Sequence, residues 1–279
     1  MPVLLNGKDL AIKVKREVRE QAAAMRQPPG LAVILVGDDP ASRIYVNGKK
    51  RDCGECGIIS TEYHFDSDVS METLLDLIER LNADPATDGI LCQLPLPDGM
   101  DETRVLLSID PGKDVDCFHP YNTGLLLVGK SLFQPCTPAG IMRLLEEAKI
   151  SPEGKRCVVV GRSNIVGKPM GVLLLQANGT VTWCHTYTPN LKEITLQADI
   201  LVTAVGKRKL ITADMIREGA VVVDVAMNHD ENGKLCGDVD YAPVAEKAYA
   251  ITPVPGGVGP MTRAMLMVNT LNAAKLHGK

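Results

Sequence analysis

Five short runs of this chain carry residues able to do chemistry. Ser42-Arg43-Ile44-Tyr45-Val46-Asn47-Gly48-Lys49-Lys50 reads as helix, and there Tyr45 and Lys49, at i and i+4, share one stripe: an aromatic plane beside an ammonium. The same pair also fits a tyrosine packed at a domain edge next to solvated lysines. Gln93-Leu94-Pro95-Leu96-Pro97 sets a polar side chain at the C-terminal end of an apolar strand, where α/β proteins bind ligands, and stiffens the exit with two prolines. Lys113-Asp114-Val115-Asp116 brings two carboxylates into a turn, either as functional acids or as plain turn formers. Thr252-Pro253-Val254-Pro255-Gly256-Gly257-Val258-Gly259-Pro260-Met261-Thr262 holds three prolines and three glycines in eleven residues. Such a loop is stiff yet lets backbone approach a ligand closely, as a ligand wall or a simple connector.

The fifth run is Gly161-Arg162-Ser163-Asn164-Ile165-Val166-Gly167-Lys168-Pro169, a glycine-bearing turn between a predicted strand and a predicted helix. Backbone N–H groups and the helix dipole at such a turn hold a pyrophosphate. The pattern is G-x-S-x-x-x-G rather than G-x-G-x-x-G, so its position at the head of a strand series carries the reading. A site for NAD usually places a carboxylate at the end of the second strand, on the ribose 2′-hydroxyl. Here that place reads Cys184-His185-Thr186. With no carboxylate to repel a 2′-phosphate, and with the Arg162 fork and the Thr186 hydroxyl to bind one, the sequence favours NADP over NAD. The alternative for Arg162 is a solvated loop cation.

These runs need elements to hold them, and the chain predicts those in two series. A helical pattern over 7–26 precedes a strand at 31–36, a helix at about 41–56, a further helix at about 70–83 and a strand at 89–94. Later come four strands at 157–161, 181–185, 200–205 and 221–226, with helices beginning near Ile165, Leu191 and Thr212. Strands alternating with helices imply a parallel sheet, and the second series has the layout of a dinucleotide-binding fold. Thr137-Pro138 reads as the cap and first turn of a helix at 141–149 and marks a domain boundary. A last helix from Met261 to about Leu276 is expected to pack back on the first domain.

Charged residues at 23% and hydrophobic ones at 45% are ordinary globular usage. A net charge of −4 offers no general basic field, so neither nucleic acid nor anionic lipid is an expected partner. Met1-Pro2-Val3-Leu4-Leu5-Asn6-Gly7-Lys8 lacks a basic stretch before an apolar one, and no apolar run approaches the ~20 residues of a membrane span, so residence in the cytoplasm is expected. The eight cysteines read mostly as reduced core residues. Cys53-x-x-Cys56 has no second pair at zinc-ligand spacing, and no metal site is expected.

Taken together and in this order, Tyr45-Val46-x-x-Lys49, Gln93-Leu94-Pro95-Leu96-Pro97, Lys113-Asp114-Val115-Asp116, the Gly161-to-Pro169 turn and the run from Pro253 to Thr262 closely resemble the bifunctional methylenetetrahydrofolate dehydrogenase/methenyltetrahydrofolate cyclohydrolase family across essentially the whole chain. The resemblance implies two α/β domains with a cleft between them. Residues 1–137 plus 261–279 would form the folate-binding catalytic domain, and 138–260 a Rossmann-type parallel-sheet domain for NADP. It implies a homodimer and tetrahydrofolate derivatives as substrates: 5,10-methylenetetrahydrofolate oxidised with NADP to the methenyl form, which is then hydrolysed to 10-formyltetrahydrofolate. By resemblance Lys49 serves the hydrolytic step, assisted by Gln93, Tyr45 stacks on the aminobenzoyl part of folate, and Asp116 holds the pterin edge. Leu94 and Pro95 line the same site, and Pro255, Gly256, Gly257, Val258 and Gly259 wall the folate. Gly161, Arg162 and Ser163 take the NADP phosphates, Thr186 assists at the 2′-phosphate, and Met227 flanks the cofactor by its backbone.

Three places depart from the family pattern. Cys117 stands where glycine is frequent, Ala226 replaces a usual glycine, and Lys207-Arg208-Lys209 occupies a loop that commonly has proline. The extra methyl of Ala226 is expected to crowd the cofactor. Two other readings stay open on the residues alone. One is a two-domain dehydrogenase of the amino-acid or shikimate kind, which would leave the stacking surface of Tyr45 without a large aromatic substrate. The other is a non-catalytic NADP-binding module, which would leave Lys49, Gln93 and Asp116 without a task.

Overall fold

The computed structural model describes the backbone of residues 1–279 and every side chain except that of Ala41. The chain runs β1 (Val3–Leu4), α1 (Gly7–Ala23), β2 (Gly30–Val36), α2 (Pro40–Cys56), β3 (Ile59–Phe65), α3 (Met71–Ala83), β4 (Gly89–Cys92), α4 (Glu102–Ser108), α5 (Pro120–Leu127) and α6 (Cys136–Glu147). It continues as β5 (Arg156–Val160), α7 (Gly167–Gln176), β6 (Thr180–Cys184), α8 (Leu191–Thr195), β7 (Ile200–Thr203), β8 (Val221–Asp224), β9 (Asn228–His229), β10 (Leu235–Cys236), α9 (Tyr241–Lys247), β11 (Ala250–Ile251) and α10 (Val258–Leu276). It divides into two compact units, one of Ile12–Cys136 with Arg263–Lys279, the other of Met1–Ala11 with Thr137–Thr262.

The first unit is built on a three-stranded parallel sheet in the order β3-β2-β4. Every residue of β2, Gly-Leu-Ala-Val-Ile-Leu-Val, is buried, as expected of a central parallel strand covered on both faces. Leu74, Leu77, Ile78 and Leu81 of α3 recur at helical spacing and pack on Ala32, Ile34, Val36, Ile90 and Cys92. The Ser70 hydroxyl starts that helix by accepting from Thr73 N at 3.1 Å. Asn269 of α10 donates to the carbonyls of Val115 and Gln134, each at 2.8 Å, and so joins the last helix to this unit.

The second unit carries a six-stranded sheet in the order β1-β11-β8-β7-β5-β6, parallel throughout. From β5 the chain goes first to β6 on one side and then to β7 on the other, so the order reverses at the C-terminal ends of β5 and β7. Val158, Val160, Leu201, Val222 and Ile251 form part of its core.

Several boundaries differ from those the sequence predicts. Residues 1–11 belong with the six-stranded sheet, because β1 pairs with β11 in the register Val3↔Ala250 and Leu5 N donates to Ile251 O at 2.9 Å. A two-residue strand has no period to read. Helix α6 starts at Cys136, so Thr137 is not its cap; its hydroxyl lies 2.9 Å from that of Thr262. The segment after Thr212 forms a single 3₁₀ turn, Ala213–Met215. Helix α10 begins at Val258, three residues before the expected Met261. The edge strand β3 has no counterpart among the elements that the sequence predicts.

In the six-stranded unit two acidic side chains are almost wholly buried, Asp224 at the end of β8 and Asp238 just after β10. The Asp224 carboxylate accepts from the backbone N–H groups of Ala226 (3.2 Å), Asp238 (3.0 Å) and Val239 (2.8 Å). Burial, reinforced by the Asp238 charge and opposed by those N–H groups, pushes its carboxyl up to about 6 from 3.8. The folded chain therefore holds this proton to higher pH than the unfolded chain does. The stability it contributes is complete below about pH 4 and is lost as pH rises through about 6, a difference of about 3 kcal/mol. Asp224→Asn stays neutral throughout, so between about pH 4 and pH 7 the variant gains roughly 3 kcal/mol relative to the parent in urea-unfolding free energy. A difference independent of pH would contradict the assignment.

Candidate active site and dinucleotide site

Helix α2 is fixed at both ends and along one side. Asp39 accepts from Ser42 N at 2.7 Å, Pro40 fills the first turn, and Gly57, at φ 72°, ends the helix in the left-handed region. Asp52, 1% exposed, pairs with Lys15 Nζ at 2.8 Å and Arg263 Nε at 3.2 Å. Gly48 lies against the same arginine; a Cβ there would run into the guanidinium. On this fixed helix Tyr45 stays partly open, and burial raises its hydroxyl pKa against the pull of Arg263. Lys49, half-buried, donates from Nζ to Gln93 Oε1 at 3.0 Å.

Gln93 follows directly on β4. Gln93 N continues the β2–β4 ladder by donating to Ile34 O at 2.9 Å, and its Nε2 donates to Leu94 O at 2.7 Å. That leaves Oε1 to the lysine. The Leu94–Pro95 bond is cis, with Leu94 half-buried and Pro95 exposed at the rim. Asp116 lies within electrostatic reach of Lys49: burial pushes its carboxyl up, while the ammonium and the Cys136 thiol, 3.8 Å from Oδ1, pull it down. Tyr45, Lys49, Gln93, Leu94, Pro95 and Asp116 thus belong to one unit, and the Lys49 ammonium links helix, strand and turn.

The other polar members of the 113–116 run are structural. Lys113 is buried and donates to the carbonyls of Leu81 (2.9 Å) and Asp84 (2.8 Å) at the end of α3; burial lowers its pKa. Asp114 accepts from Phe118 N, His119 N and Asn122 Nδ2 at 3.2, 2.9 and 2.9 Å, which makes it the turn former of the pair. Cys117 has φ 61°, a conformation that glycine adopts without cost, and its thiol donates to Phe133 O at 3.3 Å. Cys53 and Cys56 are both buried in α2, their thiols pushed up to about 12 by burial, so neither is a ready nucleophile.

In the six-stranded unit, Gly161 follows β5 at φ 133°, where a Cβ would stand 2.6 Å from Ala204 O. A Cβ on Gly167 would overlap Gly161 O, so the turn closes only with glycine at both places. Ser163 Oγ accepts from Val166 N (3.1 Å) and Gly167 N (3.3 Å), leaving its own hydrogen to donate. At the end of β6 stand His185, Thr186 and Tyr187, with no carboxylate among them. The Arg162 guanidinium lies 5.5 Å from the centre of the Tyr187 ring, a cation–π distance. Thr186 is exposed, and Met227, half-exposed, follows β8. Ala226 does not have positive φ, so its methyl carries no backbone strain. The groups present fit a dinucleotide whose adenosine ribose bears a phosphate.

The proline- and glycine-rich run is a tight turn seated on the start of α1. Lys8 N donates to Gly256 O at 3.1 Å, Gly256 has φ 109°, and a Cβ on Gly7 would overlap Gly257 O. Pro255 and Gly259 are exposed, Gly256, Gly257 and Val258 buried, and Val258 and Gly259 form the first turn of α10 instead of loop. Three features escaped the sequence reading: Arg263 beside Tyr45, the stacking of Tyr187 on Arg162, and the buried Asp224 and Asp238. Arg263 had a signal, a lone cation one helical turn after the Pro255-to-Pro260 run; the two aspartates had none.

Residues 5–116 match the family described as tetrahydrofolate dehydrogenase/cyclohydrolase, catalytic domain, and residues 135–278 match its NAD(P)-binding domain. The chain is 56% identical over 279 residues to the bifunctional protein FolD of Acetivibrio thermocellus, covering 99% of this chain and 98% of that one. The crystal structure of the bifunctional enzyme FolD, methylenetetrahydrofolate dehydrogenase/cyclohydrolase, from Campylobacter jejuni superposes with a TM-score of 0.97 at 49% identity over 99% of each chain. The Trypanosoma brucei N5,N10-methylenetetrahydrofolate dehydrogenase-cyclohydrolase, complexed with NADP cofactor and inhibitor, gives a TM-score of 0.94 at 36% identity over 99% of this chain and 98% of that one. With a lysine, a glutamine and an aspartate gathered in one unit, a glycine-closed strand-to-helix turn in the other, and both domains matched, the chain belongs to the tetrahydrofolate dehydrogenase/cyclohydrolase family.

Proposed function

We propose that this chain oxidises 5,10-methylenetetrahydrofolate to 5,10-methenyltetrahydrofolate with NADP and then hydrolyses the product to 10-formyltetrahydrofolate, the Ile12–Cys136 and Arg263–Lys279 unit binding folate and the other unit NADP. The observation that carries the reading is the Lys49 ammonium held 3.0 Å from Gln93 Oε1, beside Asp116. Tyr45 stacks on the aminobenzoyl ring, and Asp116 accepts from the N–H groups of the pterin edge. Leu94 and Pro95 line this pocket, and the turn at Pro255, Gly256, Gly257, Val258 and Gly259 walls the folate. Gly161, Arg162 and Ser163 hold the cofactor phosphates, Thr186 donates to the 2′-phosphate, and Met227 meets the cofactor through its backbone.

Bound NADP supplies the hydride acceptor for the methylene carbon between N5 and N10. The chain's own part in that step is to stack, align and keep water out. In the second step water adds to the methenyl carbon. Having released one proton from its ammonium to solvent beside the cationic substrate, Lys49 acts as the neutral amine: Nζ takes the water's proton and delivers it to N5 as the N5–C bond breaks, and the new hydroxyl then loses its proton, leaving the formyl group on N10. Overall the cation and water give 10-formyltetrahydrofolate and one proton. Gln93 keeps the amine in register. The same proposal takes the enzyme as a cytoplasmic homodimer, in keeping with its family resemblance and its free cysteines; among the described residues no helix is long and apolar enough to cross a membrane.

Two substitutions test the assignments separately. Lys49→Met lowers hydrolysis of supplied methenyltetrahydrofolate by on the order of a hundredfold or more, read as loss of its absorbance, and normal hydrolysis would refute the role. Arg162→Ala raises the Kd for NADP by on the order of ten- to a hundredfold, with a much smaller change for NAD. Equal losses for both would remove Arg162 from the 2′-phosphate.

A further inference from the structure

Five donors converge on one carboxylate that the chemistry above leaves unused. Asp238 is 0% exposed. Its Oδ2 accepts from Val205 N (2.8 Å), Gly206 N (3.3 Å) and Thr203 Oγ1 (3.0 Å), and its Oδ1 from Lys207 N (2.6 Å) and Asn228 Nδ2 (3.1 Å). Three successive amides aimed at one anion form a nest, here filled by the chain's own side chain. A buried charge persists only when it is multiply bonded, and all five partners here are donors. An asparagine has one oxygen and an NH₂ group, so it would turn donors onto donors.

The segment so gripped, 205–207, leaves the C-terminal end of β7. In a sheet of this order β5 and β6 serve the adenosine half of a dinucleotide, and the turn after β5 serves the pyrophosphate. The ends of β7 and β8 are left to the nicotinamide half. The β9–β10 hairpin brings Asp238 to this loop, and the Arg208–Glu231 ion pair ties the loop to the hairpin a second time. We propose that Asp238 is a positioning residue for the dehydrogenase step: it fixes the 205–207 backbone against the nicotinamide–ribose half of NADP and so sets the affinity for that half. The inference rests on the reading that Gly161, Arg162 and Ser163 take the phosphates.

The test uses Asp238→Asn in the full chain, titrated with NADP and with 2′,5′-ADP, a fragment that stops short of the nicotinamide. Trp183, the one tryptophan of the chain, reports binding, since its indole donates to Gly167 O at 2.9 Å in the phosphate turn. The Kd for NADP is expected to rise about tenfold or more, that for 2′,5′-ADP to stay within about twofold, and hydrolysis of methenyltetrahydrofolate, which needs no NADP, to persist. Asn228→Ala removes one donor and keeps the carboxylate; it gives a smaller rise in the same direction and serves if the first variant does not fold. Arg162→Ala weakens NADP and 2′,5′-ADP together, so an unchanged fragment affinity there rejects the phosphate reading without touching Asp238. Unchanged NADP affinity in both loop variants overturns the proposal. Equal weakening of the fragment by Asp238→Asn, or loss of both activities in parallel, overturns it as well.

Discussion

The site in the first unit depends on a single hydrogen bond between an amine and an amide oxygen 44 residues apart, Lys49 Nζ to Gln93 Oε1. A lysine side chain has four rotatable carbons and little reason to hold one position, so the precision must come from what carries it. Asp52 supplies that: a carboxylate 1% exposed between Lys15 and Arg263 locks the face of α2 one turn beyond Lys49. Removing either cation alone would leave a buried charge short of a partner, typically a loss of ~3–5 kcal/mol where the pair is fully broken, which is far more than a surface ion pair is worth. Gln93 is placed by the backbone ladder, a constraint that needs no side chain at all. One partner is held by electrostatics, the other by sheet register.

The same division of labour explains what was legible in the sequence. Strands β2, β5, β7 and β8 announce themselves as short apolar runs because both their faces are covered. Strand β3 hides because Ile59–Phe65 lies at a sheet edge, where half-exposed positions mix Ser, Thr, Glu and His with apolar residues. Strands β1 and β11 are two residues long, too short for any period. Among site residues, Lys49 and Gln93 were visible as types at suggestive places, but the bond between them is tertiary. Asp114 and Asp116 look alike in sequence; only the three donors around Asp114 and the lysine near Asp116 tell turn former from candidate ligand.

Buried acids show the limit of that reading most sharply. Asp224 sits in Val223-Asp224-Val225, inside the strand predicted over 221–226, and Asp238 in Gly237-Asp238-Val239, and nothing in either run marks its carboxylate as buried. Their carboxylates do for loops what a helix or sheet ladder does for regular elements, by giving otherwise orphaned N–H groups an acceptor. Each anchors a segment at the C-terminal edge of the six-stranded sheet, the edge at which open α/β sheets generally bind their ligands. A neutral amide would offer these N–H groups fewer acceptors than the carboxylate does, which offsets part of the cost of burying the acid.

Two of the three departures from the family pattern carry a backbone cost, and each of those is offset close by. Cys117 and Lys209 both take positive φ, at 61° and 53°, which costs a non-glycine residue about 1–2 kcal/mol. The Cys117 thiol recovers part of this by donating to Phe133 O in a buried position. Lys209 reaches Asp240 at 3.3 Å, and its neighbour Arg208 pairs with Glu231, contacts that glycine or proline cannot make. Ala226 needs no such help, because its backbone lies outside the left-handed region and its N–H is already held by Asp224. The groups that set Lys49 against Gln93 are untouched by any of these changes, as is the grip of Asp238 on the 205–207 backbone, which acts through main-chain N–H groups and is indifferent to whether a lysine or another non-proline residue stands at 207. Proline at 205, 206 or 207 would remove a donor from that carboxylate, whereas the main chain of 208 and 209 is not among its donors.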